Sequence, residues 1–160
     1  MNQLRHNHRQ AALMGLLASL LVVPPVFAQS ANFASLSVGP GSPSASTNGY
    51  TAGFFPLSNI AGRDRQGNVC TGFATQAPDH ILVLQQDMAS LAIQVDSGGN
   101  DTTLMIQGPE DGTIRCGQDT SRRNTDARIA DENWRAGTYR IWVGTHTQGQ
   151  RYSYTLSTSQ

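Results

Sequence analysis

LAIQVDSGGNDTTLMIQ, residues 91–107, decides the fold class. Leu91, Ile93 and Val95 alternate with Ala92, Gln94 and Asp96, the period of two that a strand with one buried face requires. Ser97-Gly98-Gly99-Asn100 then makes a turn, because its two glycines take positive φ without a side-chain clash. Leu104 and Ile106 resume the alternation. The stretch therefore reads strand, turn, strand.

Working outward, the same pattern recurs at Tyr139, Ile141 and Val143 and again at Tyr152, Tyr154 and Leu156. Ile81–Leu84 is a short apolar run between Pro78-Asp79 and Gln85-Gln86-Asp87, which fits a strand covered on both faces. Past the N-terminal apolar run there is no helical stripe. The single helical candidate is one turn at Asp131–Trp134. Short alternating strands with turns about every 8–12 residues indicate an all-β, antiparallel sandwich or barrel. The chain of 160 residues has room for one such domain.

Residues 1–28 read as a secretory signal peptide. Arg5 and Arg9 precede the apolar run AALMGLLASLLVV, and Val26-Phe27-Ala28 supplies a cleavage site. The run is shorter than the roughly 20 residues of a spanning helix, so no transmembrane segment is expected in the mature chain. Residues 29–50 are rich in Ser, Gly, Pro and Asn, which predicts a flexible segment. Within it, Phe33–Val38 offers a first strand through Leu36 and Val38. The sandwich is expected over residues 51–160.

Without Arg5 and Arg9, nine arginines face eleven acids, a formal charge of −2. That balance excludes an electrostatic case for nucleic acid or an anionic membrane. Cys70 and Cys116 are the only cysteines. An even pair in an exported chain predicts a disulfide. Neither C-x-x-C nor a nearby histidine favours a metal site instead.

Three groups of side chains invite a chemical reading. Asp101, Glu110, Asp111 and Asp119 crowd the segment 101–119, yet the spacing of a dedicated calcium loop is missing. If TTLMIQ pairs with TIRC, Glu110 and Asp111 decorate the turn at Pro109–Gly112, which needs no ligand. Asp101 and Asp119 then meet at the base, where a calcium ion is expected if one binds at all. His80 and His146 give a small-hydrolase alternative, with Ser90, Ser97 or Ser121 as nucleophile, but no serine lies in a strained G-x-S-x-G elbow. On the strand at 137–144, Arg140 and Trp142 fall opposite Tyr139, Ile141 and Val143. If the latter three face the core, Trp142 and Arg140 form an exposed binding surface, since both residue types favour binding hot spots.

The ordered set SGGNDTTLMIQGPEDG (97–112), Cys116, RAGTYRIWVGT (135–145) and YSYTLSTS (152–159) resembles bacterial pre-peptidase C-terminal domains, over Pro78–Ser159. The resemblance implies a jelly-roll-like β-sandwich of a kind that accompanies secreted hydrolases as a non-catalytic binding or secretion module. Some members bind calcium. Here only Asp119 follows Cys116-Gly117-Gln118, so Asp101 is the better-matched ligand position. The resulting expectation is a non-enzymatic, secreted or periplasmic bacterial module that binds a protein or carbohydrate of the cell envelope. A structural subunit joined through exposed sheet edges is a further alternative.

Overall fold

A computed structural model of the protein describes residues 30–160, so the expected signal peptide lies outside the described residues. The described chain is all-β, apart from one 3-10 turn at Leu57–Asn59. Its strands are β1 (Leu36–Val38), β2 (Ser46–Tyr50), β3 (Phe55–Pro56), β4 (Phe73–Ala74), β5 (His80–Leu84), β6 (Met88–Asp96), β7 (Thr102–Gln107), β8 (Ile114–Ser121), β9 (Asn124–Trp134), β10 (Gly137–Thr145) and β11 (Ser153–Ser159).

The strands follow one hydrogen-bonded path, β1-β5-β10-β7-β8-β9-β6-β11-β2, with β4 on the other edge of part of β10 and β3 beside β4. The path folds over on itself at β8. Ile114–Gly117 pairs with β7, whereas Gln118–Ser121 pairs with β9. Gly117 sits at the crossing because a Cβ there would lie 2.3 Å from the Arg128 carbonyl oxygen. The path's two ends are neighbours in sequence, and Gly39 and Ser42 exchange backbone hydrogen bonds of 2.9 and 3.0 Å between them. The sheet is thus nearly closed.

The alternation read from the sequence points inward as expected, except that Tyr152 lies before β11 and is only half-buried. Leu91, Ile93, Val95, Leu104, Ile106, Tyr139, Ile141, Val143, Tyr154 and Leu156 all belong to one buried cluster. Asp126 of β9 pins the turn at 97–100 by accepting hydrogen bonds from Ser97 N and Gly99 N, both at 2.9 Å. A second, smaller cluster lies on the outer face of β7 and β10, where Leu57, Cys70 and Ala74 cover Met105 and Trp142. Burying Leu57 and Met105 contributes about 1.5–3 kcal/mol each. Gly144 lets this flap approach β10, since a Cβ there would meet the Phe73 carbonyl oxygen at 2.6 Å. The Cys70–Cys116 disulfide fastens the flap to β8.

Three expectations are corrected. The first strand, β1, pairs with β5 in parallel, so the sheet is not wholly antiparallel. The Ser/Gly/Pro-rich segment contains β2, which pairs with β11 from Tyr50–Ser153 to Ser46–Ser157. Its side chains add little apolar area, but backbone pairing needs none, and Tyr154 fills the space left by Gly49. The helical candidate at Asp131–Trp134 is the end of β9, held in register by β6 from Gln94–Arg128 to Met88–Trp134.

Because the disulfide closes a separation of 46 residues, its loss is expected to cost about 4 kcal/mol. Cys70→Ala/Cys116→Ala should therefore show a lower urea midpoint than the wild type. It should also show stronger acrylamide quenching of tryptophan fluorescence before global unfolding, because the flap over Trp142 is released. An unchanged quenching profile would contradict the flap's dependence on the disulfide.

Candidate functional site

The residues singled out in the sequence do not come together. Trp142 does fall opposite Tyr139, Ile141 and Val143, but the flap covers that face and leaves it 4% exposed. Its indole Nε1 donates to the Gln76 carbonyl oxygen at 3.3 Å. The expected Trp142–Arg140 binding surface is therefore not a surface at its tryptophan. Arg140 pairs instead with exposed Asp111 at the tip of the β7–β8 hairpin. The hairpin forms as expected, yet its base opens, because β8 leaves β7 after the Leu104–Gly117 pair and carries Asp119 to Ala127 of β9. Asp101 and Asp119 thus lose the cross-strand pairing on which the calcium expectation rested. Among the described residues, no group of three or more His, Cys, Asp or Glu side chains is placed to hold a metal ion.

His80 is fully buried and both ring nitrogens are engaged. Nδ1 lies 2.8 Å from the Ala34 carbonyl oxygen, which can only accept, so Nδ1 carries the proton. Nε2 then accepts from the Tyr154 hydroxyl at 2.8 Å. Burial lowers the ring's pKa, against the hydrogen bond to Ala34, and burial together with Asp79 raises that of Tyr154. Neighbouring Asp79 does not orient the ring. Its carboxylate accepts from Asn32 Nδ2 and Val143 N, both at 2.9 Å, and burial pushes its pKa up to about 6 despite these bonds. A general base must reach its substrate's proton within hydrogen-bonding distance, and this ring has no free nitrogen to do so. The hydrolase expectation therefore fails at His80, whose role is to tie β5 to β11 and to the segment before β1. His146 is exposed in the β10–β11 loop.

Among the described residues, Thr71 Oγ1, Thr103 Oγ1 and Arg115 Nη1 are buried without a hydrogen-bond partner; Arg115 is the charged one of the three, and the sequence did not single it out. Arg115 of β8 is buried, with its side chain 3% exposed, and its Nε donates to Asp131 Oδ2 at 2.7 Å. Arg65 Nη2 reaches the same oxygen at 2.8 Å. Asp131 Oδ1 accepts from Gln66 Nε2 and Glu132 N, each at 2.8 Å. Burial raises the Asp131 pKa, but these bonds, led by Arg65, outweigh it and hold the carboxyl below its ordinary value. The Arg115 guanidinium lies 3.8 Å over the Trp134 ring, and burial lowers its pKa more than Asp131 restores it. Its Nη2 has one long contact, 3.4 Å, to the carbonyl oxygen of Asn133, whose φ of 57° asparagine tolerates better than most residues. Its Nη1 is buried with no partner. A buried donor left unmade costs about 1–3 kcal/mol.

The local chain explains the placement. Arg65 N donates to the Ile114 carbonyl oxygen at 3.1 Å, and Asp64 Oδ2 accepts from Cys116 N at 3.3 Å, so the 64–68 turn lies along β8. A cleft of about 230 Å³ opens between the β7–β8 tip and the β9–β10 turn, lined by Arg65, Glu110, Thr113, Arg115, Arg135 and Tyr139 among others. Arg115 also borders a smaller cavity of about 140 Å³ beside Asp64 and Arg128. Nothing in the sequence joins Arg65, Arg115 and Asp131, because their proximity depends on the flap and on the β8–β9 register.

No family model and no curated protein matches the chain in sequence. Solved structures similar to it include the following two. One is the pre-peptidase C-terminal domain of a collagenase from Bacillus anthracis, at a TM-score of 0.46 and 13% identity over 78% of this chain and 94% of that one. It bears the family name that the sequence resemblance suggested. The other is a periplasmic inhibitor of g-type lysozyme from Aeromonas hydrophila, at a TM-score of 0.40 and 13% identity over 81% of this chain and 98% of that one. Neither reaches a TM-score of 0.5, and the functional reading rests on the chain's own residues.

Asp79 gives a signed pH dependence. Its folded pKa of about 6 lies above the ordinary 3.8, so between those values the native state holds a proton that the unfolded chain has released. Stability from this group is present below the ordinary value and is lost as pH rises to the folded one, by about 3 kcal/mol. His80 runs the other way, since a depressed histidine pKa removes stability as pH falls below 6.5. Comparing melting temperatures of wild type and Asp79→Asn from pH 4 to 8 separates the two. The wild type should lose stability relative to the variant over that rise, whereas parallel curves would contradict a strained Asp79.

Proposed function

We propose that this chain is an exported, non-catalytic binding module of the bacterial periplasm or extracellular medium, and that it meets a partner at the Arg115 cleft. The observation that carries the reading is the contrast between two buried polar networks. At His80 both ring nitrogens are engaged, whereas at Arg115 a cationic group borders a cleft with an unpartnered nitrogen. A general base must reach its substrate's proton, which the engaged ring cannot, and arginine is a residue type favoured where proteins bind one another. The disulfide and the N-terminal sequence support export. Among the described residues, no helix is long and apolar enough to cross a membrane.

The test is capture of a partner from the organism's own envelope fraction by the mature protein, with Arg135→Glu compared against Arg123→Glu. Arg135 lines the cleft and is 76% exposed, so its replacement leaves folding intact. Arg123 is exposed in the β8–β9 turn, away from the cleft-lining residues. One partner lost with Arg135→Glu and retained with Arg123→Glu is the expected result. Equal retention by both variants overturns the placement. Hydrolytic turnover by the purified protein that disappears in His146→Ala overturns the non-catalytic part.

A further inference from the structure

We infer that a second site, independent of the docking reading, takes one ring of a neutral oligosaccharide. A cavity of about 290 Å³ opens where the segment before β1 passes the start of β5 and the end of β2. It shares no lining residue with the Arg115 cleft. Phe33, Tyr50 and Ala52 form its apolar wall, and Asn32, Thr75 and Arg151 its polar one. Tyr50 is 37% exposed and meets the Phe33 ring edge to face, with centroids 4.9 Å apart. The Arg151 guanidinium lies over the Tyr50 ring, 3.4 Å from its centroid, so the edge that carries its N–H groups is left for a ligand. Arg151 is exposed and enters no ion pair among the described residues. Asn32, also exposed, is oriented by its partners: Nδ2 donates to Asp79 Oδ1 at 2.9 Å and to Thr75 Oγ1 at 2.7 Å. An ionised carboxylate can only accept, which fixes the amide and leaves Asn32 Oδ1 as the acceptor on offer.

The charges select a neutral ligand. Asp79 borders the cavity and, with a pKa of about 6, is ionised at neutral pH, which disfavours an anion beside it. A cation is disfavoured in turn, because Arg151 already takes the Tyr50 face that would hold one. One guanidinium and one carboxylate leave the lining without net charge. Donors at Arg151 and an acceptor at Asn32 call for groups that both accept and donate, as a hydroxyl does. A sugar ring adds apolar C–H groups for Phe33 and Tyr50. An extended peptide also carries donors and acceptors, but the 78–79 backbone edge is taken. Asn32 N and Phe33 N donate to the Pro78 and Asp79 carbonyl oxygens there, at 3.0 and 2.9 Å. The volume lies just under the roughly 300 Å³ lower bound of small-molecule sites, which fits one ring of a longer chain. Phe54 offers the next ring a contact, since it is 70% exposed and rests against Gly149, close in sequence to Arg151.

The probes are three neutral trisaccharides (cellotriose, maltotriose and the N-acetylglucosamine trimer), the cationic glucosamine trimer, the anionic galacturonate trimer and an N-acetylated, C-amidated Gly-Gln-Gly peptide. Each is titrated into the mature protein while the Arg151 Nε–H, the Asn32 side-chain amide and the Ala52 and Thr75 backbone amides are followed by NMR. At least one neutral trisaccharide should saturate at roughly millimolar concentration, shift these signals together and bind about tenfold tighter than either charged trimer and the peptide. Arg151→Ala and Phe54→Ala should each weaken it several-fold with unchanged melting temperature, and Arg135→Gln should leave it unchanged. No response to any neutral trisaccharide, a preference for a charged trimer, equal binding of the peptide, or indifference to both Arg151→Ala and Phe54→Ala overturns the assignment. Partner capture that depends on Arg135 is read in a different cavity, so either reading can fail while the other stands.

Discussion

Strand β8 has to serve two halves of one sheet, and most of the molecule's architecture answers to that demand. Its first residues complete the β7 ladder and its last ones open the β9 ladder, so the strand must bend sharply where the Arg128 backbone crowds it. Glycine at 117 makes the bend. Immediately before it stand Arg115 and Cys116, which anchor respectively the polar cluster with Asp131 and the covering flap through Cys70. Both depend on the same turn of backbone. Moving β8 by one residue would exchange Arg115 with an apolar neighbour and strand a guanidinium in the core.

The buried polar groups divide by how completely they are satisfied. Asp126 is spent on the turn at 97–100, and His80 is spent between Ala34 and Tyr154. Asp79 is bonded yet remains strained, because its two bonds do not recover the hydration lost on burial. Among the described residues, Arg115 alone combines deep burial, a neighbouring cleft and a nitrogen with nothing to bond.

The fold was legible where alternation is strong, because buried faces select apolar residues at a period of two. Leu91–Val95, Leu104–Ile106 and Tyr139–Val143 declare their faces outright. Strand β9 was not legible: NTDARIADENW offers few apolar side chains, and its register comes from β6 and β8 on either side. Strand β2 was hidden for the same reason. Cys70–Cys116 could be read from counting, since two cysteines allow one pairing. Trp142 shows the limit of face assignment, because alternation assigns a side chain to a face and leaves open whether a distant segment covers it. The cluster of Arg65, Arg115 and Asp131 spans 67 positions of sequence and is assembled only by tertiary pairing.

The near-closure of the strand path governs how this molecule behaves in a crowd. Its two terminal strands, three and five residues long, are joined at their corner by the Gly39–Ser42 bonds. Among the described residues, these path ends offer an approaching copy only short ladders of free amides and carbonyls. Growth by strand addition, the route by which exposed sheets become fibres or surface lattices, is thereby blunted.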